Sequence, residues 1–259
     1  DRAQLMVKME KPSAIHHLDE LVMLADGMMV ARGDLGVEMQ PEDVPPIQRK
    51  IVTACRRVGK PVVVATQMLE SMITNPVPTR AESADVARAV YDGADAVMLS
   101  AESAAGQYPR EAVAMMDRII RETEQSSHYH QSAAVGDREA TGSDAISAAA
   151  RQVAETVDAK AIVTHTRSGR TAQRASRERP QVPIIMITPE VDIARQHTIV
   201  WGLHCVVSPD MPSLDAVFDE GGRIAVDEGF AQKGDQVVLT AGVPFGQVGQ
   251  TNLLRLLRV

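Results

Sequence analysis

Short apolar runs recur along this chain with helical patterns between them, and that alternation restricts the fold more than any other feature. Segments 5–9, 28–31, 62–65 and 96–100 read as strands, while 14–24, 45–58, 80–91 and 109–124 carry apolar residues at helical spacing. Strands separated by helices build a parallel sheet, because a parallel crossover needs a dozen or more residues. Gly59 and the Asp92–Gly93 pair mark helix ends, and Pro109 suits a helix first turn. The periodicity fades in SSHYHQSAAVGDREATGS, residues 126–143, which predicts a linker over 128–143 between a first domain, 1–127, and a second, 144–259. Beyond it the spacing predicts helices over 144–157, 171–179, 192–200 and 214–229, and strands over 161–165, 184–188, 203–207, 236–240 and 253–257. The expected architecture is therefore α/β: four strand-helix units, half of the eight that close a parallel barrel, followed by a doubly wound α/β domain.

Bulk properties narrow the function classes. At 259 residues, 44% hydrophobic and 24% charged, the chain has enough apolar material for two cores. No apolar run approaches the ~18 residues of a membrane span, and no basic-then-apolar leader opens the sequence, so a soluble protein with no membrane partner is expected. A net charge of -7 with 3% aromatic residues argues against a nucleic-acid groove, which needs a basic stripe and stacking platforms. Cys55 and Cys205 have no Cys-x-x-Cys partner and predict free thiols in a reducing compartment, the cytoplasm. The chain opens at Asp1 and enters a strand pattern almost at once, which suggests a portion of a longer protein.

Each of the first four strands ends in polar residues: Lys8 and Glu10, Arg32 and Asp34, Thr66 and Gln67, Ser100 and Glu102. Active sites of parallel barrels lie at that end, although strand ends are also simply where chains reach solvent. Lys8 and Glu10 are two apart, so a strand directs both to one interior face. Glu10 and Asp34 suit Mg²⁺, a hard ion held by one or two carboxylates, and lack the His and Cys of a zinc site; ion pairs with Lys8 or Arg32 account for them equally well. Lys8 is a point charge of the kind phosphoryl transfer uses. In ARGDLG, residues 31–36, the glycines allow backbone N–H groups to approach an anion, or form an ordinary turn.

In the second domain THTRSGRT, residues 164–171, follows a predicted strand and opens a helix, so it is either a phosphate cradle or a capped turn. The seven histidines show no metal-ligand spacing, the methionines sit in apolar patterns as core filler, and Trp201 is expected to be buried near the second sheet.

Taken together these motifs resemble the pyruvate kinase family. LMVKMEKPSAI is similar to its active-site signature, and DGMMVARGDLGVE, GKPVVVATQMLESMITNPVPTRAE and DGADAVMLSAESAAGQYPREAV are similar to its next three barrel strands, in the same order. Met9 stands where the family more often has Ile or Leu, and SAES at 100–103 where it often has SGET. The resemblance implies phosphoryl transfer from phosphoenolpyruvate to ADP, giving pyruvate and ATP in glycolysis. It implies that Lys8 stabilises the transferring phosphoryl group and the enolate oxygen, and that Glu10 and Asp34 hold Mg²⁺ or Mn²⁺. Ala31, Arg32, Gly33 and Asp34 would bind substrate, with Thr66 over the reacting carbon and Ser100 and Glu102 in the network behind it. It implies a dependence on K⁺ whose ligands lie outside this chain, as do the family's first four barrel strands, lid domain and substrate-binding arginine, so that the chain alone is inactive. It further implies an allosteric effector phosphate held by Thr166, Arg167, Ser168, Gly169 and Thr171, and a homotetramer. The second effector loop, 241–251, carries no Lys or Arg, which favours a monophosphate over fructose 1,6-bisphosphate. A Mg²⁺-dependent enolate lyase or aldolase on a similar barrel, and a non-catalytic effector-binding fragment, are the competing expectations.

Overall fold

The computed structural model describes residues 3–127, 129, 141–243 and 250–259, and the chain divides into two compact units, Asp1–Gly136 and Asp137–Val259. The expected linker lies almost wholly outside the described residues, as do His128, His130 and most of the 241–251 loop.

In the first unit β1 (Met6–Met9) leads through α1 (Pro12–His16) and α2 (Leu18–Leu24) to β2 (Gly27–Ala31). Then come α3 (Arg32–Glu38), α4 (Val44–Val58), β3 (Val62–Ala65), α5 (Arg80–Asp92), β4 (Ala96–Met98), α6 (Ala101–Ala104) and α7 (Pro109–Glu124). The four strands lie in sequence order β1-β2-β3-β4, all parallel, with Val7 opposite Met28, Val30 opposite Val64 and Val64 opposite Val97. Met9, Met28, Val30, Val62 and Val64 turn one sheet face into a core with Leu18 and Val22 of α2, Ile51, Val52 and Cys55 of α4, Val86 and Ala89 of α5 and Met116 of α7. Sequential parallel strands with helices on one face are the half-barrel that the alternation predicts.

The structure differs from the sequence expectation at two places. The single helix expected over 14–24 is interrupted at His17, whose φ of -107° and ψ of 21° are not helical. ARGDLG, for which the sequence left open a backbone approach to an anion or an ordinary turn, opens α3, where burial of Arg32 and Leu35 outweighs two glycines' low helix propensity.

In the second unit α8 (Gly142–Thr156) precedes β5 (Ile162–His165), followed by α9 (Arg170–Arg177), β6 (Ile184–Thr188), α10 (Val191–His197), β7 (Leu203–Val207), α11 (Leu214–Asp227), β8 (Gln236–Ala241) and β9 (Leu253–Arg258). The sheet order is β7-β6-β5-β8-β9, parallel except for the antiparallel pairing of β8 with β9. Alternate residues serve opposite faces: Val163, Ile185, Val237 and Leu239 pack with Val217, Phe218 and Ile224 of α11, while Ile162 and Val238 pack with Ala150 and Ala154 of α8. This is the expected doubly wound sheet, with the strand order reversing direction at β5. Trp201 is half-buried rather than enclosed, with the Arg179 guanidinium 4.6 Å from its ring centroid. Among the described residues no helix is long and apolar enough to cross a membrane.

Candidate functional site

The sheet of the first unit brings the predicted charged residues together at the C-terminal ends of β1 and β2. Strand alternation buries Met9 and leaves Lys8 and Glu10 on the other face. The β1–β2 register sets Lys8 opposite Met29, so Asp34, in the first turn of α3, comes up beside it. Lys8 Nζ lies 2.6 Å from Glu10 Oε2 and 3.1 Å from Asp34 Oδ2. Hydrogen bonding to Glu10, then Asp34, holds the Lys8 ammonium above its ordinary pKa, and the Lys8 contact holds Asp34 below the ordinary carboxylate value. Lys8 is 51% exposed, so these groups line an open face rather than the closed interior the strand spacing suggests. A neighbouring pair, Lys11 and Glu38, continues the ionic row.

Behind this row a second cluster is buried. Arg32 donates from Nη1 to Asp85 Oδ2 at 2.5 Å, and from Nη2 to the carbonyls of Thr66 at 2.7 Å and Gln67 at 3.1 Å. Those carbonyls belong to two successive residues with positive φ, 68° at Thr66 and 52° at Gln67. A β-branched residue there is strained by about 1–3 kcal/mol and persists only where its surroundings over-determine it. The Arg32 guanidinium is one such restraint. The Thr66 hydroxyl supplies another: it donates to the Ala65 carbonyl at 2.6 Å and accepts from the Gly33 N–H at 2.7 Å. A Cβ on Gly33 would stand 3.3 Å from Thr66 Oγ1, a tight contact that a glycine avoids. The Arg32 side chain thus serves as an internal brace, while the contact with substrate implied by the resemblance is one through its backbone.

Glu102 is likewise spent on the backbone. Only 3% exposed, it accepts from the Leu69 N–H at 3.2 Å and the Ser100 N–H at 2.7 Å, joining the segment after β3 to the end of β4. The segment is fastened again at Glu82, which closes a capping box with Thr79 and accepts from Ser71 N–H and Oγ at 2.7 and 2.6 Å. Burial pushes the Glu82 carboxyl up, but the donors on Ser71 and Thr79 outweigh it and hold it below its ordinary value. Sequence reasoning missed Asp85 and Glu82; both lie on α5 at helical spacing, where a surface role is the default.

In the second unit the 164–171 loop follows β5, at the point where the strand order reverses and where ligands of open α/β sheets bind. Gly169 caps α9 with φ of 77° and no side-chain cap bond. Thr166 and Thr171 are buried, Ser168 is half-buried, and Thr171 Oγ1 lies 2.9 Å from Thr251 Oγ1, which brings the end of the second predicted loop against the first. Arg167 turns to exposed carboxylates on the loops after β6 and β7: Nη1 is 3.6 Å from Glu190 Oε1, and Nη2 pairs with Asp210. Beneath the loop His197 bonds through Nδ1 to the Ile193 carbonyl at 2.7 Å, while its buried Nε2 has no hydrogen-bond partner among the described residues.

No cluster of three or more His, Cys, Asp or Glu suited to a metal occurs among the described residues. Two carboxylates drawn to one ammonium fit a hard divalent ion whose other ligands are water and substrate oxygen.

Two family models match the chain, Pyruvate kinase, barrel domain, over residues 1–113 and Pyruvate kinase, alpha/beta domain, over residues 144–257. Over 257 residues the chain is 52% identical to a pyruvate kinase of Methylorubrum extorquens, covering 98% of this chain and 54% of that protein. A pyruvate kinase of Agrobacterium vitis is 49% identical over 257 residues, with 98% and 54% covered. One of Geobacillus stearothermophilus is 45% identical over 254 residues, with 97% and 43% covered. The chain spans about half the length of the curated relatives it matches.

Proposed function

The chain belongs to the pyruvate kinase family, and from that premise we propose that its first unit forms one side of a site that moves the phosphoryl group of phosphoenolpyruvate to ADP, yielding pyruvate and ATP in glycolysis. The observation that carries this reading is the convergence of Lys8, Glu10 and Asp34 at one strand end, in front of the braced Thr66.

In the transfer, the bond from phosphorus to the enol oxygen breaks, a bond to a terminal oxygen of ADP forms, and the electron pair stays on the enolate. Lys8, held protonated by its two carboxylates, lies where it can offset the charge on the moving phosphoryl group and the enolate oxygen. Glu10 and Asp34 would hold Mg²⁺ or Mn²⁺, which when bound neutralises the charge of the substrate's phosphate and carboxylate. The substrate carboxylate meets the backbone of Ala31, Arg32 and Gly33 at the start of α3. To accept from the Gly33 N–H it takes the place of Thr66 Oγ1, which removes one of the two bonds holding that hydroxyl; on giving up its bond to the Ala65 carbonyl as well, the hydroxyl can turn its proton toward the enolate carbon and assist its protonation. Ser100 and Glu102 support that wall, Glu102 through the two N–H groups it holds.

We assign residues 1–127 to this catalytic portion, 128–143 to a connection, and 144–259 to an effector unit whose cradle is Thr166, Arg167, Ser168, Gly169 and Thr171. Its ligand is a phosphorylated allosteric effector, a sugar or nucleoside monophosphate in preference to a bisphosphate. A cytoplasmic homotetramer using K⁺ completes the proposal.

The test is phosphoenolpyruvate-dependent ATP formation with Mg²⁺ and K⁺, measured on the 259-residue chain and on a longer chain containing it. Turnover is expected in the longer chain and lost by about 10²–10³-fold on Lys8→Met, the size of effect seen when one charge-stabilising group is removed. Ordinary turnover by the 259 residues alone would show that no second wall is needed.

A further inference from the structure

The cradle at the start of α9 contains two cations in different situations. Arg170, the first residue of α9, is exposed and forms no ion pair among the described residues. Arg167 is held between Glu190 and Asp210, both exposed and both carried by loops at the same end of the sheet. One positive charge against two negative ones leaves that rim acidic.

The other side of the cradle is different. There the N-terminus of α9 directs unsatisfied N–H groups outward. His197, 4% exposed, sets Nε2 against Gly169 so closely that a Cβ on that glycine would stand 1.9 Å from it. This buried ring nitrogen has no hydrogen-bond partner among the described residues. The helix end, Arg170 and the Thr171 hydroxyl provide for one phosphate, and a second phosphate within the length of a sugar would meet Glu190 and Asp210.

We infer that Glu190 and Asp210 are specificity-determining residues of this cradle: by occupying Arg167 they exclude effectors with a second phosphate and admit hydroxyl-rich monophosphates, whose hydroxyl groups can donate to the same carboxylates. The inference rests on the effector reading above and names the residues that set its selectivity.

Calorimetric titration of the 259-residue chain with glucose 6-phosphate, AMP and fructose 1,6-bisphosphate tests it, in the unaltered protein and in a Glu190→Gln/Asp210→Asn variant. Both side chains are exposed, so the fold is expected to survive, and each single substitution serves as a check. The unaltered chain is expected to prefer a monophosphate by about 10-fold or more, and the double variant to lose or reverse that preference, since juxtaposed like charges at an interface carry at least this much discrimination. A monophosphate that binds with a preference unchanged to within about 3-fold in the double variant overturns the inference and leaves the effector reading intact. Failure of all three probes to bind either protein overturns the effector reading and the inference with it.

Discussion

Two arginines occupy comparable places in the two units, each just beyond the C-terminal end of a parallel strand, and they do opposite things. Arg32, 8% exposed, directs Nη1 to Asp85 and Nη2 to two strained carbonyls and so fixes a backbone, with Nε left unpartnered among the described residues. Arg167, 38% exposed, is paired with carboxylates that water also reaches. Burial makes the difference. A buried guanidinium must satisfy its donors within the protein and so becomes part of the framework, whereas an exposed one exchanges partners at little cost and is available to a ligand. The first unit therefore presents a preset surface at its strand ends, and the second an adjustable one.

Four measurements would break or sharpen this contrast. The largest effect is expected at Gly169→Ala, which adds a Cβ into the His197 ring at a left-handed φ of 77°. Strain and overlap together should destabilise the second unit by about 3–5 kcal/mol, and His197→Ala in the same chain should recover a large part in denaturant titrations. No recovery would mean that the backbone conformation, not the histidine, makes the cradle rigid.

Next is Arg32→Ala, expected to lower first-unit stability by about 2–3 kcal/mol, since hydrogen bonds from a charged donor to two carbonyls are lost while the solvated Asp85 adds little. Hydrogen exchange at the Gly33 amide should accelerate as Thr66 relaxes. An unchanged Gly33 amide would remove the brace from the account.

The third effect depends on pH. Burial lowers the His165 and His197 pKa values below 6.5; for His165, Asp210 opposes the shift and Arg167 adds to it, while the Ile193 carbonyl opposes it for His197. Below pH 6.5 the unfolded chain takes up protons that the folded one does not. Stability is therefore fully present above 6.5 and is lost as pH falls toward the depressed folded values, by at most about 1.4 kcal/mol per pH unit for each histidine. His197→Leu should remove about half of that slope, read from thermal unfolding between pH 7 and 5.

The smallest effect belongs to Arg167→Ala, expected to change stability by less than about 0.5 kcal/mol because its pairs are exposed. A loss near that of Arg32→Ala would erase the contrast between the two arginines.

Much of the fold was legible in the residues. Strands 62–65 and 184–188 begin and end where the sequence pattern places them, because a strand in a buried parallel sheet needs apolar side chains on both faces and is bounded where they stop. The grouping of Lys8, Glu10 and Asp34 was also legible, since period-two alternation sets the face and a parallel register sets the neighbour. The interruption at His17, which nothing in the periodicity marks, was not; nor was the helix at ARGDLG, because it depends on the burial of Arg32 and Leu35. The same holds for the Thr66 backbone. Its positive φ is contrary to local preference and exists because Arg32, 34 residues away, reaches its carbonyl.

The sequence by itself determined the two α/β units, the order of their strands and helices, and the polar groups at the strand ends, all of which follow from short-range periodicity. Only the tertiary structure decided which polar groups face water and which are buried, that Arg32 braces while Arg167 is held by Glu190 and Asp210, and that Glu102 binds backbone. Those outcomes depend on distance and solvent access between residues far apart in the chain, and local pattern contains neither.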